Sequence, residues 1–196
     1  MRRRTFDVLV SAAGLVLAAV MLIGGGLLLW GNSFVTNEVH SQLAAQKIVF
    51  PAKGSPELKA LPASDAAAMS QYAGQLMTTG AQAETYADHF IAVHLVKIGG
   101  GKTYSQLSAA SLAQPNNAAL AGQVQTVFRG ETLRGMLLNA YGFWKMGQIM
   151  FVGAIVAFAA AGVFLILSIL GFVHMSRAAP EAEVFPKLAT RVEANA

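Results

Sequence analysis

The sequence predicts an all-α membrane protein in which two transmembrane helices flank a mostly helical extracytoplasmic domain. Three observations predict it. Hydrophobic residues make up 55% of the 196-residue chain and charged residues only 12%, against about 25% charged in an ordinary soluble domain. Two long apolar stretches, 8–31 and 146–175, are each long enough to cross a bilayer. Between them, prolines, glycines and cap-forming residues divide 32–145 into pieces of helical length.

Residues 1–7 are a basic lead, with Arg2, Arg3 and Arg4 against Asp7. From Val8 to Gly31, 24 residues carry no ionisable group. A helix of that length reaches about 36 Å, enough for a hydrocarbon core of about 30 Å. The opening "MRRRTF" is similar to a twin-arginine signal, with Arg3, Arg4 and Phe6 suitably placed. The apolar run is long, however, and "LLLWGNSFV" follows it with no A-x-A-like cleavage site, so a retained anchor is expected. Apolar Phe34, Val35, Val39 and Leu43 can continue this helix beyond the membrane.

"KIVFP" reads as a short extended piece and "PAKGSPELKALPAS", with three prolines, as a loop. Ser64 can cap a helix running to about Thr78. Thr79 and Gln82 have capping-box spacing and open the next helix, which should end near Gly99–Gly101. Thr103 can cap a short helix through Leu112, stopped before Pro115, and Asn116 or Asn117 starts a long helix in which Gly122, Gly130 and Gly135 are possible kinks. That helix feeds the second span, 146–175, where only Gln148 and His174 are strongly polar. No internal repeat or heptad seam is evident. Residues 176–196 form a tail whose charges cancel.

Arg2–Arg4 before the first span and Arg177 after the second place both termini in the cytoplasm and 32–145 outside the plasma membrane. Lys145 opposes this weakly. Trp30 and Phe34 on one side, and Tyr141, Phe143 and Trp144 on the other, suit one membrane interface.

The composition also excludes functions. The absence of cysteine removes disulfides, zinc–thiolate sites, iron–sulfur clusters and cysteine nucleophiles. The net charge of +4 is not gathered into a basic stripe, because residues 32–145 mix eight basic with six acidic side chains; nucleic acid is not an expected partner. Gly101-Lys102-Thr103 ends like a phosphate-binding loop, but the first glycine of that motif falls at Val96, and a helix precedes the string where the motif needs a strand. The expected role is a helix end followed by a cap, and no nucleotide is expected.

Glu84, Asp88, His89 and His94 crowd one helix, with His40 elsewhere in the domain. A metal site could use Glu84, Asp88, His89 and His40. His89 and His94 are five residues apart and diverge by about 140° on a regular helix, whereas ligands on one helix are normally three or four apart. His94 joins Phe90, Ile91, Leu95 and Ile98 on the apolar face, where a structural histidine is expected. No cofactor is therefore assigned. Ser105, Ser108 and Ser111 lack a nucleophile elbow. Arg129 and Arg134 flank Glu131, as an exposed ion pair or as an anion or headgroup site. Gly153, Ala157 and Ala161 form a small-residue ridge for close helix packing, either against a partner or against Gly14 and Ala18 of the first span.

Taken together, "QLAAQKIVFPAKGSP", "TTGAQAETYADHFIAVHL", "GGGKTYSQLS" and "VQTVFRGETLRGMLLNAYGFWKMG" resemble an uncharacterised family of two-span membrane proteins from actinobacteria, over most of residues 1–175. Such proteins sometimes carry the label of aromatic ring-opening dioxygenase. That chemistry wants two histidines and a carboxylate on one face, which the histidine spacing does not supply. The resemblance implies the two-span architecture and no catalytic residue. The expected function is non-enzymatic: an accessory or scaffold subunit of an envelope or respiratory membrane complex, in contact with lipid and with a second copy or other membrane proteins. The alternatives are an extracytoplasmic metal-binding protein or metal-dependent enzyme, and a ligand-sensing module that needs a partner for output.

Overall fold

In the computed structural model the described residues are 2–177, with 179 and 184; most of the tail assigned to 176–196 lies outside them. Among the described residues the regular elements are all helices, joined by turns and loops, and an isolated antiparallel bridge links Val49 and Leu76. The helices are α1 (Arg3–Ala45), α2 (Pro56–Lys59), α3 (Ala63–Ser70), α4 (Gly80–Tyr86), α5 (Ala92–Gly99), α6 (Tyr104–Ala113) and α7 (Ala118–Arg177), with a π-helical segment, Ala87–Ile91, joining α4 to α5. Two compact units result. One is Met1–Trp30 with Phe151–Ala196; the other is Gly31–Met150.

The first unit holds the apolar parts of α1 and α7, which are long and apolar enough to cross a membrane. They pack antiparallel along one seam. On α1 the covered positions include Ser11, Gly14, Ala18, Met21, Gly25 and Leu28; on α7 they include Ala154, Ala157, Ala161, Phe164, Ser168 and Gly171. Both sets alternate three- and four-residue steps. This is a heptad-spaced seam, the geometry of helices crossing at about 20°, and it corrects the expectation that none exists. Hydropathy misses it because the positions around the seam are equally apolar. Small residues line it: Ala18, Ala154 and Ala161 are buried, and a Cβ on Gly25 would lie 2.9 Å from the Phe158 ring.

The second unit closes a core over Val39, Leu43, Phe50, Met69, Met77 and Leu137, among others. Phe50, Met69 and Met77 are fully buried, each worth about 1.5–3 kcal/mol in transfer from water. α1 continues without a break to Ala45 and ends where Lys47 takes a left-handed φ of 53°. The loop after Pro51 contains a one-turn helix, α2, opened by Ser55, whose hydroxyl accepts from Leu58 N–H. α3 stops at Ser70, eight residues short of the expected Thr78. The chain turns at Gly74 (φ 73°), and Gln75–Met77 pairs with Ile48–Phe50 through Phe50 N–H to Gln75 O (2.9 Å) and Met77 N–H to Ile48 O (2.8 Å). Tertiary pairing thus overrides local helix propensity.

The capping box of Thr79 with Gln82 on α4 forms as the spacing predicts, and Thr103 caps α6 as expected, the structure adding Gln106 as the partner that makes it a second box. Gly80 lets α4 approach α7, since a Cβ there would lie 2.3 Å from Trp144 Cβ. Asn117 caps α7 by accepting from Leu120 N–H at 3.0 Å. α7 runs unbroken through Gly122, Gly130 and Gly135; Gly130 instead makes room for Leu95, which would stand 2.3 Å from a Cβ.

Candidate functional site

Two ion pairs of the second unit meet at the π segment. A π segment adds one residue to a turn and shifts the phase of everything after it. Here Ala92 N–H reaches back five residues to Ala87 O. Asp88 and His89 sit on this widened turn and meet partners on two other helices. Asp88 Oδ1 accepts from Arg134 of α7 at 2.8 Å, and His89 Nδ1 lies 2.7 Å from Asp65 Oδ1 of α3. Asp65 can only accept as a carboxylate, so His89 donates through Nδ1. Glu131 is the weaker partner of Arg134, at 3.7 Å. The sequence pairs Arg134 with Glu131; the fold gives its guanidinium mainly to Asp88. Arg129 is exposed and outside this network.

Glu84 belongs to neither pair, and His40 is exposed on α1. Among the described residues no three His, Asp or Glu side chains are grouped to hold a metal. Asp88 and His89, two of the four metal candidates, instead tie helices together. His94 packs on the Phe90 ring with centroids 4.5 Å apart, and its Nδ1 donates to Phe90 O at 2.7 Å. Burial beside Phe50 and Phe90 pushes the Tyr86 hydroxyl above its ordinary range. Glu57 is held below the usual carboxylate range, chiefly by the Ser55 hydroxyl.

The glycine string is a helix end. Gly100 and Gly101 hold φ of 58° and 77°; Gly99 is the last α-helical residue, so the left-handed position is one residue later than Gly99. Gly101 N–H bonds Val96 O at 2.9 Å and Gly100 N–H bonds Lys97 O at 3.2 Å, which satisfies the last carbonyls of α5.

In the first unit the ridge residues lie in the seam. Ala161 and Ala18 are buried, Ala157 is half-buried, and a Cβ on Gly153 would lie 3.3 Å from Leu28 Cδ1. Gly14 faces Ser168, and Gly171 faces Ser11. The signal for this second set was in the sequence: Ser11-Ala-Ala-Gly14 and Ser168-Ile-Leu-Gly171 repeat one Ser-x-x-Gly pattern, which antiparallel pairing makes reciprocal. Asp65, the partner of His89, carried no sequence signal.

No family model, curated protein or solved structure matches the chain.

Proposed function

We propose that the chain is a two-span integral membrane protein without a catalytic centre of its own, and that it serves as an accessory or scaffold subunit of a membrane complex. One observation carries the reading. Once α1 and α7 have paired, their remaining surfaces stay exposed and apolar, with Val16, Ile23 and Leu27 on α1 and Ile149, Val156 and Ile166 on α7 each about 60% exposed or more. In water such a surface would aggregate; acyl chains or another membrane helix can cover it. The pairing of Asp88 with Arg134 and of His89 with Asp65 further supports a structural role for the domain. The small ridge is occupied by the protein's own seam, so a partner would engage the outer faces.

Carbonate extraction tests the first half: the chain should stay in the membrane pellet, and release into the supernatant would overturn it. For the second half, the chain is purified in mild detergent and its mass and composition measured. A complex of fixed stoichiometry, weakened by a bulky outer-face change such as Val156→Trp, is expected. A stable monomer unaffected by that change would leave the scaffold reading without support.

A further inference from the structure

Within the second unit, α1 and α7 leave a groove of about 370 Å³ between them, at the small end of the roughly 300–1,000 Å³ of small-molecule sites. Its wall is mostly apolar and includes Phe34, Val35, Val39, Met136 and Phe143; Glu38, Gln42 and Asn139 supply its polar groups. Glu38 is the one charged residue that lines it, and no arginine or lysine does.

The register decides which of these groups meet. A Cβ on Gly147 would lie 3.4 Å from Thr36 and 3.7 Å from Val35, so these residues stand at one level. The helices run antiparallel, and each rises about 1.5 Å per residue. One turn back along α7 from Gly147 is Phe143, and one turn forward along α1 from Val35 is Val39. Phe143 is therefore level with Val39 and with its neighbour Glu38. A further turn brings Asn139 level with Leu43 and its neighbour Gln42. The two tiers are tied together, because Gln42 Nε2 donates to Glu38 Oε1 at 2.6 Å. The groove thus sets a carboxylate level with an aromatic ring, places two amides one turn away, and offers apolar surface at Phe34 and Val35 on the other side.

We propose that this groove binds a hydrophobic primary amine in its ammonium form. The charge follows from Glu38, whose Oε2 accepts no hydrogen bond within the chain and can take an N–H from an ammonium. The Phe143 ring at the same level favours a cation over a neutral group. The apolar body of the amine covers Phe34, Val35 and Val39. A phosphate has no cationic partner in the groove, so the occupant is an amine without one and not an aminophospholipid. Glu38 is exposed, and an exposed ion pair is screened by water and salt. The wall therefore supplies most of the affinity, and Glu38 selects the charge. The site lies in the second unit and does not depend on the membrane reading above.

The full chain in phosphatidylcholine nanodiscs is titrated by calorimetry with octylammonium, 1-octanol and octanoate. Empty nanodiscs give the baseline, because all three also partition into lipid. Octylammonium should bind saturably above that baseline and about fivefold more tightly than octanol, the scale of an exposed ion pair; octanoate should bind more weakly than octanol. Glu38→Gln keeps the shape of an exposed side chain. It should leave the helix content by circular dichroism unchanged and remove the preference for octylammonium while octanol still binds. The preference of the parent chain should also shrink as salt is raised, a check that needs no variant. Equal binding of octylammonium and octanol, or a preference indifferent to both salt and Glu38→Gln, would overturn the charge assignment. Absence of saturable binding above the empty discs would overturn the site. Phosphatidylethanolamine added to the discs should not displace octylammonium; displacement would make an aminophospholipid the occupant and sink the proposal as stated. Release of the chain by carbonate would overturn the membrane reading and leave this site standing.

Discussion

Gly100 shows how one backbone angle fixes a role. Its φ of 58° costs an L side chain about 1–2 kcal/mol, so Gly100→Val should lower stability by at least that much in a chemical melt. Gly99→Ala should be mild, because a Cβ there meets only Leu107 Cδ1 at 3.6 Å. Lys102→Ala should be neutral, and saturable ATP binding abolished by it would restore the phosphate-loop reading. Tyr86 gives a pH prediction. Its folded pKa lies above the unfolded value of about 10. The neutral hydroxyl is therefore favoured by folding: its contribution is fully present below about pH 10 and is lost as pH rises through the higher folded pKa. Tyr86→Phe should flatten the loss of stability above pH 10; an unchanged alkaline profile would show that Tyr86 is not its source.

Among the elements, α4 depends on its cap. Gln82 is 5% exposed; its Oε1 accepts from Thr78 N–H at 2.7 Å and Thr79 N–H at 3.0 Å, and its Nε2 donates to Gln75 at 3.1 Å. Thr79→Ala should cost about 1 kcal/mol. Gln82→Ala should cost more, since it strands buried backbone donors; equal losses in urea melts would mean that water replaces the amide. The apolar helix pair makes the opposite demand, for smallness. Ala161→Leu puts a large side chain into a position 2% exposed and should lower the melting temperature in detergent, with Ala157→Leu a weaker version. Ile166→Leu on the outer face should not. If Ala161→Leu melts like the parent chain, the seam does not hold the pair.

For the whole molecule, the arginine flanks set an expectation of both termini inside and 32–145 outside. Single cysteines at Ser55 and Ser176 can be probed on intact cells with an impermeant thiol reagent, an unambiguous readout in a chain with no cysteine of its own. Ser55→Cys should label and Ser176→Cys should not; the reverse pattern would invert the topology. The sequence by itself determined the two long apolar helices, the all-helical class, the capping box of Thr79 with Gln82, the cap at Thr103 and the glycine stop after α5. Each of these rests on neighbours within a few residues, or on hydrophobicity summed along one segment. Only the tertiary structure decided which face of each apolar helix became the seam, because a helix apolar all round carries no polar contrast from which to read a direction. It also decided that Gln75–Met77 leaves the helix to pair with Ile48–Phe50, and that a π turn swings Asp88 to Arg134 and His89 to Asp65. Those partners lie 46 and 24 residues away, and at such separations the chain's local preferences do not say which groups will meet.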